Sequence, residues 1–122
     1  MFLKIIQLII FLFVSVPPTE STLHPSTDDP LSVGDFLNLT CSTDSSNPPA
    51  ALQFRFTPTD FKLSDDVYSN GNYNGKKTTR SMSGSVWKSH HDTEVECSVN
   101  YNGEDMNHLK KTYTIAVPCK YH

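Results

Sequence analysis

The stretch TEVECSVNY, residues 93–101, has the alternating pattern of a half-buried β-strand. Its apolar positions fall on every second residue, at Val95, Cys97, Val99 and Tyr101. Successive side chains of a strand point to opposite faces of the sheet, so this pattern buries one face and leaves the other polar. The segment therefore predicts a strand with a core-facing cysteine.

The same alternation recurs in three other segments. They are DFLNLTCS (residues 35–42), ALQFRF (51–56) and KTYTIAV (111–117). In ALQFRF it predicts that Leu52, Phe54 and Phe56 all face the core. The pairs Asn70-Gly71 and Asn74-Gly75 suit tight hairpin turns, which predicts short edge strands between residues 64 and 79, and a weaker strand follows at 80–87. The pattern as a whole predicts an all-β domain.

The beginning of the chain, MFLKIIQLIIFLFVSV, predicts a signal peptide because the apolar run after Lys4 is too short for a typical membrane helix. We place the signal peptide at residues 1–21, with cleavage after Ser21, and the alternative is an uncleaved anchor. Residues 22–29 are predicted to be an extended leader, 30–117 the domain, and 118–122 a C-terminal tail. The protein is therefore expected to be secreted or extracellular, with no membrane span in the mature chain.

Charge and motifs exclude several classes of function. The chain has 10 basic and 13 acidic residues, a formal net charge of −3, and no basic stripe to neutralise phosphates, so nucleic acid is not an expected partner. No G-x-S-x-G elbow, phosphate-binding glycine loop or H-E-x-x-H motif occurs. We expect neither an enzyme nor a cofactor.

Three cysteines in an exported chain allow one internal disulfide and leave one thiol over. They lack the close C-x2-C spacing of a zinc site. Composition alone does not decide which two of them pair.

Two segments resemble strands of the immunoglobulin superfamily. VGDFLNLTCS (33–42) looks like its strand B and TEVECSVNYNG (93–103) like its strand F, while SNPPAALQF (46–54) is similar to the B to C connection of C2-type domains, CD80-like and nephrin-like. The resemblance implies an immunoglobulin-like two-sheet antiparallel Greek-key sandwich with a core disulfide between Cys41 and Cys97. Phe54 stands where the family has a core tryptophan, and Trp87 is expected to be buried and to restore that volume.

This pairing leaves Cys119 as a free or intermolecular thiol. An odd cysteine in an exported chain suggests a disulfide-linked dimer. The alternative is that the chain is the truncated first domain of a longer membrane receptor, with Cys119 in a linker or in a missing domain.

The resemblance also implies a function, namely an extracellular protein-binding module in cell adhesion or immune recognition. The predicted partner-binding face is the outer face of strands C, F and G, with Gln53, Arg55, Glu96, Ser98, Asn100, Thr112 and Thr114. The F to G loop, residues 101–108, is an alternative surface. The simpler interpretation is an ordinary solvated face on which Arg55 and Glu96 form a weak pair.

One dense cluster suggests a different class of function. His90, His91, Asp92, Glu94 and Glu96 carry groups typical of metal and hydrolytic sites, so a small secreted metal-binding effector or hydrolase is the alternative. We favour a polar turn followed by an outward strand face, and hence no metal.

Asn38-Leu39-Thr40 is a glycosylation sequon. If Leu39 faces inward, Asn38 faces outward and is accessible to glycosylation. A glycan there would cover the sheet of strand B and leave the opposite sheet free for a protein partner.

Overall fold

The structure is a computed structural model that describes residues 15–27, 30–72 and 74–118. Most of the predicted signal peptide, residues 1–14, and Cys119 with the rest of the tail lie outside the described residues. The strands are β1 (Ser21–Pro25), β2 (Phe36–Thr43), β3 (Ala51–Arg55), β4 (Lys62–Leu63), β5 (Val67–Asn70), β6 (Lys76–Ser85), β7 (Glu94–Tyr101), β8 (Glu104–Asp105) and β9 (Lys111–Thr114). Two 3₁₀ turns occupy Lys88–His90 and Asn107–Leu109.

These strands form two antiparallel sheets. The first has the order β1-β2-β6-β4, and β5 also pairs with β6, so β4 and β5 act as one interrupted strand. In the second, β7 pairs with β3 on one side and with β8 and β9 on the other. The chain crosses between the sheets after β2, β3 and β6. With β4 and β5 counted as one strand, and β8 and β9 as another, this is the immunoglobulin-like arrangement of four strands against three. The predicted fold class is confirmed.

The core lies between the sheets and is joined through its centre by a disulfide. Cys41 of β2 and Cys97 of β7 are both fully buried and bonded to each other. Leu37 and Leu39 are buried beside Cys41, as the alternation predicts. Phe54 of β3 is directly opposite Cys97 in the sheet and is buried. An aromatic side chain therefore does occupy the place expected of the core tryptophan.

The packed domain begins earlier than the sequence indicates. Residues 22–29 were predicted to be an extended leader, but Ser21–Pro25 form β1, which pairs with β2 from Ser21 opposite Thr43 to Pro25 opposite Leu39. Ser21 is buried and its hydroxyl donates a hydrogen bond to the carbonyl of Leu109. A polar segment with a proline was missed because it is an edge strand, where one sheet neighbour suffices.

Residues before β1 are also attached to the domain. Val16 and Asn47 exchange two backbone hydrogen bonds, at 2.8 and 2.9 Å. The carboxylate of Asp44 accepts hydrogen bonds from the backbone N–H groups of Thr19 (2.9 Å) and Glu20 (3.2 Å), and another from the Thr19 hydroxyl. Burial alone would raise the pKa of Asp44, but these hydrogen bonds outweigh it and lower the pKa. Cleavage after Ser21 would remove both partners of Asp44.

Replacing Asp44 by asparagine is expected to destabilise the secreted protein by about 1 kcal/mol at pH 7, because charge-assisted hydrogen bonds become weaker ones at a partly exposed site. Since folding lowers the pKa of Asp44, its contribution is complete above pH 3.8, the ordinary value, and is lost as the pH falls through the folded-state value. Thermal unfolding at pH 7 and pH 3 measures both quantities. Equal stabilities at pH 7, with a first residue at Thr22, would show that the mature chain lacks this anchor.

Two aromatic side chains predicted to be buried are exposed. Phe56 is 71% exposed, because β3 ends at Arg55 and Phe56 adopts a left-handed backbone with φ of 62°. Trp87 is 51% exposed, so it does not fill the volume beside Phe54. Buried Met82 and Val86 of the same chain segment, together with Phe61, line the core instead. Alternation cannot reveal where a strand stops, and both errors arise at strand ends.

The predicted weak strand at 80–87 covers the second half of a longer strand, which ends at Ser85. β6 begins at Lys76 and holds the centre of the first sheet, with β2 on one side and β4 and β5 on the other. It follows a turn in which Gly71 N–H bonds to the carbonyl of Gly75. Its polar beginning, which has few apolar residues to mark a strand, is stabilised by the ladder with β5 from Lys76 to Thr79.

Candidate protein-binding surface

The strand register brings most of the predicted partner-binding residues together. Gln53 lies opposite Ser98, and Arg55 lies opposite Glu96. On the other side of β7, Glu96 lies opposite Thr112. Directly opposed residues of an antiparallel pair share one face, so these side chains form a single patch on the outside of the second sheet.

Glu96 is the centre of this patch and is held by two cations. Its carboxylate lies 3.9 Å from the Arg55 guanidinium and 3.5 Å from the Lys110 ammonium. The Glu96 side chain is only 12% exposed, whereas those of Arg55 and Lys110 are 49% and 41% exposed. One carboxylate thus serves two cations, which leaves one positive charge without a counter-ion within the group.

Some of the predicted partner-binding residues are exposed to solvent, and others are buried between them. Ser98 is 6% exposed and its hydroxyl bonds to the carbonyl of Gln53. Ser98 and Glu96 therefore form the floor of the patch and do not offer surface to a partner. We define the candidate surface by its exposed residues, which are Gln53, Arg55, Asn100, Lys110, Thr112 and Thr114.

Lys110 was not identified from the sequence. It follows the 3₁₀ turn Asn107–Leu109, whose Leu109 is buried, and precedes β9. That turn places the lysine beside Glu96, and no periodic pattern marks it. A lysine next to a lysine before a strand is a weak signal, because such residues are common on any solvated surface.

The F to G loop is a short, attached hairpin. Tyr101 is buried, and its hydroxyl donates a 2.6 Å hydrogen bond to the carbonyl of Asn47. Asn102 and Gly103 form the turn with φ of 53° and 81°, and β8 follows immediately. This alternative surface is therefore smaller than the predicted loop of residues 101–108.

The outer edge of β3 is capped by side chains from the first sheet. Arg80 donates a 2.8 Å hydrogen bond to the carbonyl of Leu52 and a 2.7 Å bond to the carbonyl of Ser64. The carboxylate of Asp66 interacts favourably with the N–H of Leu52. The carbonyl of Leu52 that a further strand would pair with is therefore already bonded, and its N–H faces a carboxylate. A partner is therefore expected to bind to the face of this sheet and not to add a strand along this edge.

The position of Asp66 at this cap disfavours its charged form. Burial raises its pKa, and the Leu52 N–H and the Arg80 charge offset that increase only in part. Its Oδ1 is buried without a hydrogen-bond partner among the described residues. The cap therefore depends on Arg80 to balance a partly buried carboxylate.

The histidine cluster does not converge on one point. His90 is buried in the turn after Trp87, where its Nδ1 accepts the Trp87 N–H and its ring packs edge-on against Phe61 at 5.2 Å. His91 accepts the N–H of Val117. Glu96 belongs instead to the outer face of the second sheet. Within residues 15–27, 30–72 and 74–118 no group of three or more potential metal ligands occurs.

The opposite sheet carries Asn38 and a shallow polar surface. Asn38 lies on the outer side of β2, so a glycan there would face away from the candidate surface. Near the first residues of β1 the surface has two adjoining shallow cavities, of about 330 and 260 Å³, which share Asp44 and Lys77. Six of the nine residues that line the larger cavity are serines or threonines, and none is aromatic.

Comparison with known proteins supports the fold and little more. No family model and no curated protein matches the chain. Among solved structures it is similar to the full ectodomain (Ig1–Ig3) of mouse nectin-like molecule 4, with a TM-score of 0.65 and 19% identity. The match covers 85% of this chain and 35% of that one. The described part of the chain contains no helix long and apolar enough to cross a membrane.

Proposed function

We propose that this chain is an extracellular, non-catalytic protein-binding module of the cell-adhesion or immune-receptor type, and that it binds its partner through the candidate surface. Its similarity to one part of a nectin-like ectodomain with three immunoglobulin domains supports this class. We further propose a domain that is not of the variable type, and the C2-type subtype stays a prediction. In support, no described strand extends the second sheet beyond β3, as the additional strands of variable-type domains would, while β4 and β5 pair with β6 as the fourth strand of a constant-type domain does.

The observation that carries the proposal is the sharing of Glu96 by Arg55 and Lys110. Each cation keeps donor groups directed to solvent, and the buried carboxylate holds both in place. Positioned cations favour a partner that presents carboxylates or other hydrogen-bond acceptors. The exposed amides of Gln53 and Asn100 and the hydroxyls of Thr112 and Thr114 surround them and suit a polar rim.

Reversing both charges, with Arg55→Glu and Lys110→Glu, is expected to weaken binding to the cognate cell-surface protein at least 10-fold. The change places two carboxylates beside Glu96 and repels an acidic partner. The partner is first identified by capture on living cells that display it, and binding is then measured by surface plasmon resonance with the purified proteins.

The matched control is Lys77→Glu together with Lys62→Glu, which reverses two exposed lysines of the first sheet. Both double variants are expected to keep a cooperative melting transition. Equal binding by the two double variants would contradict the proposed surface. Loss in the control alone would assign binding to the opposite sheet.

We also propose that the protein is exported by its amino-terminal apolar segment and that Cys119 forms an intermolecular disulfide. Support comes from the pairing of Cys41 with Cys97, which leaves Cys119 as the third cysteine. A longer receptor in which this is the first domain is compatible with the same surface. The chain spans about a third of the length of the ectodomain it resembles, at 35%.

A further inference from the structure

The glycosylation sequon lies beside an exposed aromatic side chain on the same face of β2. Leu37 and Leu39 are buried, so Phe36, Asn38 and Thr40 point outward from the first sheet. Two residues of a strand span about 6.6 Å. The Phe36 ring and the Asn38 amide are therefore neighbours on the outer face of the first sheet.

Phe36 is a large apolar side chain that the described residues leave mostly exposed. It is 64% exposed, and its cross-strand neighbour on β6 is the small side chain of Ser85. The next residues on this face of β6 all carry hydroxyl groups. They are Ser83, Ser81 and Thr79, which lie opposite Asn38, Thr40 and Ser42. Phe36 is thus a large apolar group at the end of a hydroxyl-rich face.

Trp87 is a second exposed aromatic side chain, beyond this end of β6. Ser85 is exposed, Val86 is buried and Trp87 is exposed, and Trp87 has an extended backbone. The pairing of β2 with β6 does not continue regularly past Phe36 and Ser85. Val86 donates a hydrogen bond to the carbonyl of Asp35 and accepts one from the N–H of Gly34, so Gly34 and Asp35 both lie opposite Val86. Trp87 therefore lies past the last regular pair, and Phe36 is the aromatic side chain on the strand of the sequon.

Asn38 is half-buried, and its Oδ1 is buried without a hydrogen-bond partner among the described residues. Its Nδ2 is the atom that would carry a sugar. A pyranose ring presents C–H groups on one face, and aromatic rings attract such groups through their electron-rich faces. The first sugar on Asn38 has the size to reach a ring about 6.6 Å away.

We propose that Phe36 is a docking platform for the first N-acetylglucosamine of a glycan on Asn38. The occupant is a sugar of the same molecule, held at high effective concentration by its covalent bond. This contact stabilises the domain and covers the largest exposed apolar group of β2. The inference rests on glycosylation of Asn38 and is independent of the binding surface on the second sheet.

The test is a thermal double-mutant cycle on protein secreted from cells that attach high-mannose glycans. An endoglycosidase trims the glycan to one N-acetylglucosamine, and mass spectrometry verifies the modification of Asn38. The melting temperature is compared with that of Asn38→Gln in three backgrounds: unaltered, Phe36→Ser and Val67→Ser. Val67 is the matched control, because it is 60% exposed on the same face opposite Thr79, about 13 Å along β6 from the residue facing Asn38.

We expect the single sugar to raise the melting temperature by about 4 °C in the unaltered and Val67→Ser proteins and by less than about 1 °C with Phe36→Ser. In proton NMR spectra, the ring current of Phe36 should also shift sugar protons upfield. This second measurement reports the contact directly and does not depend on the stability of the variants. An unmodified Asn38, an equal sugar effect in all three backgrounds, or unshifted sugar protons would overturn the platform. None of these results bears on the Arg55 and Lys110 test of protein binding.

Discussion

Replacing Cys41 by alanine is expected to remove about 4 kcal/mol of stability and to prevent secretion of folded protein. The disulfide closes a loop with a sequence separation of 56, and a cross-link over such a loop reduces the entropy of the unfolded chain by about that amount. A domain of this size has a total stability of about 5–15 kcal/mol, so the loss is a large fraction of it. Secreted yield and urea unfolding of any secreted protein measure the effect.

Cys119→Ser is the matched control for this experiment. It also removes one thiol, but from a residue outside the described domain, so the melting temperature should not change. On non-reducing gels the same variant reports whether Cys119 holds a dimer. Normal secretion of Cys41→Ala with an unchanged melting temperature would contradict a structural role for the bridge.

Replacing Arg80 by methionine is expected to cost about 3 kcal/mol. The substitution keeps most of the aliphatic volume but removes two charge-assisted hydrogen bonds to the carbonyls of Leu52 and Ser64. A partly buried bond of this kind, as to Leu52, contributes about 1.5–3 kcal/mol, and the exposed bond to Ser64 contributes less. The change also leaves the Asp66 carboxylate without its neutralising cation. Equilibrium denaturation in urea measures the loss.

The deficit of Arg80→Met should depend on pH. Burial already raises the pKa of Asp66, and removal of Arg80 raises it further. A carboxyl group with a raised folded-state pKa contributes stability below its ordinary pKa of 3.8, and that contribution is lost as the pH rises through the folded-state value. The variant should therefore be closest to the unaltered protein in acid and furthest from it at neutral pH.

Lys77→Met is the control for Arg80→Met. Lys77 lies on the same strand but is exposed, and its loss should change stability by no more than about 0.5 kcal/mol. Equal deficits in the two variants, or a deficit of Arg80→Met that grows toward acid, would contradict the cap on β3. If the cap is absent, the edge of the second sheet becomes a candidate for strand addition.

The cap and the candidate surface together restrict how a partner approaches. With the carbonyl of Leu52 already bonded to Arg80 and its N–H facing the Asp66 carboxylate, the middle of the β3 edge is closed to strand addition. The face beside it presents Arg55 and Lys110 in fixed positions. A glycan on Asn38 lies on the other sheet and does not compete with a partner there. The closed β3 edge, the two cations and the distant glycan together favour binding of a partner to the outer face of the second sheet.

Alternation was sufficient to predict the strands that form the centre of the domain. In β2, β3 and β7 every second side chain is apolar, and the pleat converts that pattern directly into an inner and an outer face. Leu39, Phe54 and Val99 are therefore buried as predicted. The same argument placed Gln53, Arg55 and Glu96 on one face, because the register of β3 against β7 follows from burying their apolar neighbours.

Local pattern failed where a residue's environment depends on distant parts of the chain. β1 is polar and contains a proline, and it is a strand only because β2 offers an unpaired edge. Phe56 and Trp87 fit the apolar alternation of the sequence, but each lies just past the end of its strand and is exposed. The contacts of Arg80 with Leu52 and of Lys110 with Glu96 join residues 28 or 14 positions apart.

The order of apolar and polar residues thus determined the all-β class, the central strands and the direction in which their side chains point, since each depends only on the two-residue period of the strand. The packing of the sheets decided where the domain begins, how the β3 edge is closed and which cations surround Glu96. Those features depend on which distant segments meet, and that is set by the free energy of the whole sandwich.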